Sequence, residues 1–262
     1  MRYLILGSSG FIGTNLLKKL FQDGENDIEL YNSDISIEFI PQKKPDVIIH
    51  LASNTDTTYP NDIEMYRNNI VGFLNVLEYA NNNKIRLIYA SSGAIYGNDG
   101  FPLNAYGETK WICDKLAKRY FNKIPIVGLR FFNVYGPFEK LKGKMASMVT
   151  QWKYQIENGQ DPVIFHGEFK RDFVYVKDVV KAILMAKDLD SGIYDVGTGV
   201  ATDFRDVLKI IIKTLPAKVN PQFIENPYIE KYQIFTKANL NWGFNPDYTI
   251  ESGIEDYFNN YK

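Results

Sequence analysis

The 262-residue sequence contains one cysteine, Cys113, and only two histidines, His50 and His166. A single cysteine cannot form an internal disulfide or a multi-thiolate metal site. Two histidines are too few for most histidine-based metal centres, so we expect no bound metal ion.

The sequence also lacks an excess of charge of either sign, because 30 Lys and Arg residues balance 31 Asp and Glu residues. A chain with a net charge of −1 offers no broad basic surface, which argues against nucleic acid as a partner. No apolar run approaches the ~20 residues of a membrane span, and the apolar part of residues 1–7 is too short for a signal peptide. We expect a soluble cytoplasmic protein with no membrane partner.

The chain does contain an alternation of strand-like and helix-like segments. Short apolar runs predict strands, and runs with a helical apolar period predict helices. Strands are predicted over 3–6, 28–31, 46–51, 85–90 and 126–131, and helices over 11–21, 63–79 and 105–121. This order favours an α/β fold with a doubly wound, Rossmann-type parallel sheet that carries helices on both faces.

Beyond residue 137 the pattern is less regular. Helices are predicted over 145–156, from 177, over 204–215 and over 250–261, with strands over 173–176 and 193–196. We therefore predict a smaller C-terminal α/β portion. Residues 1–137 and a return segment near 172–190 are assigned to the first portion, and residues 138–171 and 191–262 to the second.

Three glycines, Gly7, Gly10 and Gly13, lie between the first predicted strand and the first predicted helix. In this G-x-x-G-x-x-G spacing, Gly7 permits a tight turn, Gly10 the approach of a pyrophosphate and Gly13 close helix packing. The helix N-terminus then offers free N–H groups to the phosphates. A merely structural turn would use the same glycines, but the strand–turn–helix context favours dinucleotide binding.

The acidic residue that would bind the adenosine ribose is less clear. Asn32 stands at the expected position, and Asp34 follows two residues later. Asp34 would either bond the ribose or cap the short helix after it. No arginine in this stretch offers a partner for a 2′-phosphate, so both NAD and NADP stay open as cofactors.

Tyr106 and Lys110 are spaced i and i+4 on a predicted helix, and Ser92 follows the strand before it. These side chains are expected at the C-terminal edge of the sheet, where ligands bind in such folds. A free tyrosine has a pKa near ~10, which a nearby lysine and a nicotinamide cation would lower. Tyr106 would then transfer a proton while Ser92 holds a substrate oxygen. The alternative is a surface Tyr–Lys pair beside an unrelated serine.

These segments resemble the extended short-chain dehydrogenase/reductase family of nucleotide-sugar enzymes, which includes NAD-dependent epimerases and dehydratases. The matching segments are GSSGFIG (7–13), DVIIHLAS (46–53), Asn69 with Gly72, YASSGAIYG (89–97), YGETK (106–110), LRFFNVYGP (129–137), RDFVYVKDV (171–179) and YDVGTG (194–199). The resemblance implies tightly bound NAD or NADP and a nucleotide-diphosphate sugar as substrate. The implied cofactor contacts are Gly7, Gly10, Phe11, Ile12, Gly13, Asp34, Leu51, Ala52, Ser53, Asn69, Ser91, Tyr106 and Lys110.

Three further segments, at 131–149, 169–176 and 230–240, are similar to epimerases within that family. In those epimerases the residue at the position of Lys142 is a second acid/base that faces the tyrosine, so the implied catalytic set is Ser92, Tyr106, Lys110 and Lys142. The implied substrate contacts are Ser92, Asn133, Lys142, Lys144, Phe165, His166, Arg171 and Tyr232. A guanidinium at position 171 suits a diphosphate, although a salt bridge to Asp172 is an equal interpretation.

Two departures from the family pattern border the predicted pocket. Ser92 and Tyr106 are only 14 residues apart, and the region between the second and third strands is short. The acidic triplet typical of dehydratases is replaced by Ser92-Gly93-Ala94, which argues against dehydration. The leading hypothesis is an epimerase. The alternatives are a reductase of an NDP-4-keto-6-deoxy sugar and a cofactor-binding regulatory protein.

The resemblance also implies a homodimer or a higher homo-oligomer. In this family the helices at 63–82 and 105–121 often form an intersubunit four-helix bundle. Phe73, Leu77, Trp111 and Leu116 are suitable interface residues, although burial within the monomer is an equal interpretation.

Overall fold

The computed structural model describes residues 1–215 and 218–261. The strands are β1 (Tyr3–Leu6), β2 (Ile28–Tyr31), β3 (Val47–His50), β4 (Arg86–Ser92), β5 (Ile126–Phe131), β6 (Asn133–Tyr135), β7 (Val163–Phe165), β8 (Lys170–Tyr175), β9 (Gly192–Val196), β10 (Ala201–Asp203) and β11 (Gln222–Ile224). The α-helices are α1 (Phe11–Gln22), α2 (Asp62–Tyr66), α3 (Gly72–Asn83), α4 (Ala105–Lys118), α5 (Met148–Glu157), α6 (Val176–Met185), α7 (Phe204–Thr214) and α8 (Ile250–Asn260). A π-helical turn (Arg67–Val71) joins α2 to α3, and 3-10 helices lie at Gly93–Tyr96, Glu139–Met145 and Ile229–Lys231.

Six parallel strands form the large sheet, in the order β2-β1-β3-β4-β5-β9. Successive side chains of a strand point to opposite faces, so each strand contributes to two cores. Tyr3 and Ile5 of β1 pack with residues of α1 and α6, whereas Leu4 and Leu6 pack with α3 and α4. The predicted doubly wound parallel sheet is confirmed.

The core on the α3 and α4 face contains two of the four residues suggested for an intersubunit bundle. Phe73 is 2% and Leu77 is 0% exposed, so both are buried within the monomer. Trp111 is 40% exposed and remains available to a partner. The oligomeric state stays a prediction.

The C-terminal portion contains a three-stranded sheet, β10-β8-β6, and a two-stranded sheet, β11-β7. Four of these strands, β6, β7, β10 and β11, are three residues long, which is too short for an apolar period to appear in the sequence. The fifth, β8, is the strand predicted within the return segment, and it joins the small sheet instead of the large one.

The strand β9 corrects the predicted division of the chain. Residues from 191 onward were assigned to the C-terminal portion, but β9 pairs in parallel with β5 at the edge of the large sheet. It reaches that edge because α6, which precedes it, packs against α1. Within residues 1–215 and 218–261, no helix is long and apolar enough to cross a membrane.

Candidate active site

The glycine turn joins β1 to α1, and two of its glycines are required by close contacts. Gly7 has a φ of +78°, and a Cβ there would lie 2.6 Å from the backbone nitrogen of Ala52. A Cβ on Gly13 would lie 2.2 Å from the carbonyl oxygen of Gly7. A Cβ on Gly10 would meet only that same carbonyl, at 3.3 Å, so the turn is open on this side.

The N-terminus of α1 is suited to an anion. Its N-cap residue, Gly10, makes no side-chain capping hydrogen bond, and its first turn contains no acidic residue. The first N–H groups of the helix therefore point to open space with the positive end of the helix dipole behind them. This arrangement fits the pyrophosphate of a dinucleotide. Phe11 is buried and Ile12 half-buried at the same helix end.

The loop after β3 lies directly against the glycine turn. The backbone N–H of Leu51 donates to Leu6 at 2.9 Å, and Ser53 Oγ donates to the carbonyl of Asn54 at 3.3 Å. Asn69, in the π-helical turn, accepts from the N–H of Asn54 at 2.8 Å and donates to its carbonyl at 2.9 Å. Asn69 thus fixes the loop that borders the cofactor site. Its direct contact with the cofactor stays a prediction.

Asp34 caps a turn in this structure. Its Oδ1 accepts from the N–H of Ser36 at 2.8 Å and from the Ser36 hydroxyl at 2.7 Å, and these bonds lower the pKa of Asp34. The positive charge of Arg67 lowers that pKa further. Sequence reasoning missed Arg67 because it follows Asp34 by more than thirty residues and approaches it only through the fold.

The structure places Ser92, Tyr106 and Lys110 at the C-terminal end of β4. The helix α4 begins at Ala105 because the Asn104 side chain accepts from the N–H of Gly107 at 3.0 Å. Lys110 is 7% exposed, its Nζ donates to the carbonyl of Ala90 at 2.9 Å, and it lies 5.8 Å from the centre of the Tyr106 ring. Ser92 Oγ accepts from the N–H of Ala94 at 3.1 Å.

Burial dominates the pKa values of Tyr106 and Lys110 in this structure. Burial raises the pKa of Tyr106, and a hydrogen bond with Ser92 only partly opposes that rise. Burial also lowers the pKa of Lys110. A raised pKa favours the protonated phenol, and a positive charge close to the phenol favours its ionisation.

Two polar atoms near the same sheet edge are buried without a hydrogen-bond partner among residues 1–215 and 218–261: Ser91 Oγ and His50 Nδ1. Burial, together with the charge of Lys110, lowers the pKa of His50 to about 3. His50 is therefore neutral. The described part of the chain contains no cluster of three or more His, Cys, Asp or Glu residues that could hold a metal ion.

Lys142 and Lys144 lie on the 3-10 helix that covers the start of α1. The Nζ of Lys142 is 3.5 Å from Oε1 of the buried Glu139 and 5.9 Å from the centre of the Phe11 ring. This position places Lys142 beside the glycine turn. The Nζ of Lys144 instead forms an ion pair with Asp56 at 3.0 Å, in the loop after β3. The catalytic role of Lys142 and the substrate contact of Lys144 stay predictions.

Arg171 is a buried cation without an acidic partner. It is 4% exposed, its Nη1 donates to the carbonyl of Lys170 at 3.2 Å, and burial lowers its pKa to about 10. Asp172 is not its partner, because that carboxylate accepts the N–H groups of Thr198 at 2.6 Å and Ala238 at 3.0 Å. Within the described ranges no carboxylate lies within ion-pair distance of Arg171. Such a cation fits a phosphate group.

An apolar cavity of about 140 Å³ adjoins Arg171. Its aromatic lining consists of Trp152, Phe165, Phe169, Phe204 and Tyr232. The Arg171 guanidinium lies 5.0 Å from the ring centre of Tyr232 and 5.7 Å from that of Phe204. The cavity and the cation together offer an aromatic surface and a phosphate site.

Two further predicted substrate residues, Asn133 and His166, do not line this cavity. Asn133 is half-buried at the start of β6. His166 is exposed; its N–H donates to the carbonyl of Ile224 at 2.8 Å, and its ring centre lies 5.6 Å from that of Phe223. Its contact with a nucleotide base stays a prediction.

A parallel sheet with a glycine turn after its first strand, and with a serine, a tyrosine and a lysine at its carboxyl edge, is typical of dinucleotide-dependent enzymes. The chain belongs to the NAD dependent epimerase/dehydratase family, whose sequence profile matches residues 3–197. This match confirms the predicted family and its nicotinamide cofactor.

Individual relatives agree with this assignment. The ADP-L-glycero-D-manno-heptose-6-epimerase of Brachyspira hyodysenteriae is 32% identical over an alignment that covers 97% of this chain and 96% of the relative. The crystal structure of the Helicobacter pylori enzyme of the same name superposes with a TM-score of 0.88 at 30% identity, covering 99% of this chain and 95% of that one. UDP-glucose 4-epimerase of Thermotoga maritima shares the fold, with a TM-score of 0.89 at 22% identity and 99% of both chains covered.

Proposed function

We propose that the protein is an NAD(P)-dependent epimerase of a nucleotide-diphosphate sugar. The observation that carries the proposal is Arg171, a buried guanidinium without a carboxylate partner that lies beside an aromatic cavity. A diphosphate would neutralise this charge, and the cavity would accept an apolar face of the nucleotide. The heptose epimerase relatives, at 30% and 32% identity, support an epimerase and suggest an ADP-linked heptose as the first substrate to test.

When bound, the nicotinamide ring supplies reversible hydride transfer to and from a sugar carbon. Side chains of this protein transfer the proton of the sugar hydroxyl. Tyr106 takes the proton of the sugar hydroxyl, while the Ser92 hydroxyl holds the same oxygen. Lys110, held by the Ala90 carbonyl, places a positive charge beneath the phenol ring. The N-terminus of α1 holds the pyrophosphate.

Inversion requires the hydride to return to the opposite face of the sugar carbonyl, so the carbonyl must turn over and its oxygen then faces a different proton donor. In this proposal that donor is Lys142, which gives its proton to the oxygen, and exchange with water restores the protonation of Lys142 and Tyr106. The ion pair of Lys142 with Glu139 and its position over Phe11 hold Lys142 beside the glycine turn. Because the hydride is returned to the sugar, the reaction consumes no cofactor overall. A cytoplasmic location is part of the same proposal.

The test is an incubation of the purified protein with ADP-D-glycero-D-manno-heptose, UDP-glucose and an NDP-4-keto-6-deoxyhexose, each with added NADH or NADPH. Proton NMR of the sugar and absorbance of the reduced cofactor are followed together. We expect an inverted stereocentre without net loss of reduced cofactor. Stoichiometric oxidation of the cofactor would instead make the protein a reductase, in which Lys142 has no acid/base role.

A further inference from the structure

We propose that Gln233, which lies in the C-terminal portion, is a positioning residue that holds Ser92 in place. Ser92 ends β4, and the 3-10 helix Gly93–Tyr96 follows it directly. Gln233 belongs to the C-terminal portion, in the segment after the 3-10 helix Ile229–Lys231. The proposal rests on the proposed function, because it concerns the orientation of the Ser92 hydroxyl during catalysis.

The carboxamide of Gln233 contacts both ends of the Gly93–Tyr96 helix. Its Nε2 donates to the carbonyl of Gly93 at 3.1 Å and to the carbonyl of Gly97 at 3.2 Å. A carboxamide nitrogen has two N–H donors, so both are used here. Gln233 therefore links both ends of this helix to the C-terminal portion and fixes the position of the helix. We call this pair of hydrogen bonds the brace.

A second side chain strengthens the same junction. Asn98 Nδ2 donates to the carbonyl of Tyr232 at 3.2 Å, and Asn98 Oδ1 accepts from the N–H of Ile234 at 2.7 Å. The segments 93–98 and 232–234 are thus joined by four hydrogen bonds, although they are more than 130 residues apart in the sequence. In each segment a side-chain amide binds the backbone of the other.

The orientation of Ser92 depends on this helix. Ser92 Oγ is the N-cap acceptor for Ala94, so the hydroxyl follows any displacement of the helix. The helix ends at Gly97, whose φ of +53° is strained for other residues and where a Cβ would lie 1.6 Å from the Phe101 carbonyl oxygen. The short connection to Tyr106 therefore has little freedom of its own, and a misplacement of about 1 Å at a reacting group costs about 100-fold in rate.

The brace also connects Ser92 to the proposed diphosphate site. Tyr232, whose ring lies 5.0 Å from the Arg171 guanidinium, is the residue before Gln233. Its backbone carbonyl is held by Asn98. A ligand that orders Tyr232 over Arg171 would therefore also order Gln233 and the helix that follows Ser92.

The decisive variant is Gln233→Glu, which keeps the size of the side chain and replaces both donors by an acceptor. We expect kcat for the nucleotide sugar to fall about tenfold, while KM and the affinity for NAD change less than about twofold. The matched control is Gln222→Glu, because Gln222 lies on the exposed strand β11 and its Nε2 donates only to Asn220, at 3.0 Å. We expect no change in kcat in that control.

Hydrogen exchange of the backbone amides of residues 93–98 tests the brace without any substrate. We expect faster exchange in Gln233→Glu than in the wild type or in Gln222→Glu. Unchanged exchange, or a raised KM at constant kcat, would overturn the proposal. Gln233→Ala removes the donors without adding charge and decides the same question if the glutamate variant does not fold. If the wild type turns over no nucleotide sugar, the proposed function fails, while hydrogen exchange still decides whether Gln233 holds the helix.

Discussion

In the large sheet and in the C-terminal portion, buried polar groups find their hydrogen-bond partners in different ways. In the large sheet, β1 and β3 are buried along their whole length, and their backbone groups bond to neighbouring parallel strands. In the C-terminal portion, single carboxylates collect N–H groups from distant segments. Asp172 of β8, for example, accepts from the N–H groups of Thr198 at 2.6 Å and Ala238 at 3.0 Å.

The sequence therefore determines the fold of these two regions in different ways. We call the large sheet with its flanking helices the cofactor half. Its fold follows from local patterns, namely apolar strands, a glycine turn and helices with one apolar face. We call the C-terminal portion the substrate half, and its fold depends on a few side chains, each of which joins segments that are remote in the sequence. We expect substitutions to separate cofactor binding from substrate binding along the same division.

The largest effect is expected in the cofactor half, from Tyr106→Phe. The change removes the proton-transfer group and leaves the ring, so turnover should fall at least about 1,000-fold. The affinity for NAD, measured by fluorescence titration, should change less than about twofold. An equal loss of turnover and of NAD binding would contradict the assigned role of the phenol.

A smaller effect is expected in the substrate half, from Arg171→Met. The loss of charge-assisted hydrogen bonds to a diphosphate should lower kcat/KM by about 10- to 100-fold, with NAD affinity unchanged. The matched control is Arg119→Met, because Arg119 is exposed at the C-terminal end of α4 and does not line the cavity beside Arg171. If both substitutions lowered kcat/KM equally, Arg171 would not be a specific phosphate ligand.

The two histidines, one in each half, give a comparison based on pH. His50 has a pKa of about 3 in the folded protein against an ordinary value of 6.5, so the unfolded chain binds more protons between these values. Stability should therefore fall as the pH is lowered below 6.5, by about 2 kcal/mol between pH 7 and pH 5.

Urea unfolding at several pH values measures this dependence. His50→Phe removes the titrating group and should flatten the curve in this range. His166→Gln, at an exposed position, should leave the wild-type slope in place. A slope that survived His50→Phe would show that other groups cause the loss of stability in acid.

The smallest effect is expected where the two halves meet, at the ion pair of Lys144 with Asp56. Lys144 is 70% exposed, so Lys144→Met should lower the free energy of unfolding by less than about 1 kcal/mol. If Lys144 also contacts the substrate, KM for the nucleotide sugar should rise in the same variant, and Asp56→Asn should not reproduce that rise.

The sequence alone predicted what depends on near neighbours. Gly7, Gly13, Tyr106 and Lys110 lie where local spacing places them, in a tight turn or on one face of a helix. The three-residue strands could not be predicted, because they are defined by their pairing and not by an apolar period.

Contacts between remote segments were also beyond prediction. Nothing in the sequence near Asp34 indicates Arg67, and nothing near Ser92 indicates Gln233. The expected lowering of the Tyr106 pKa relied on a nicotinamide cation as well as on Lys110. In this structure burial raises that pKa, and the burial of Tyr106 is determined only by the assembled fold.

The placement of β9 has a consequence for the synthesis of the chain. β5 ends at Phe131, and the strand that covers its open side begins at Gly192. At about 5–20 residues per second, a ribosome needs roughly 3–12 seconds to make the intervening chain. During that time the hydrogen-bonding groups of β5 are an exposed sheet edge, which is open to pairing with another chain. The nascent protein is therefore vulnerable to pairing with another chain while residues 132–191, which include Arg171, are being made.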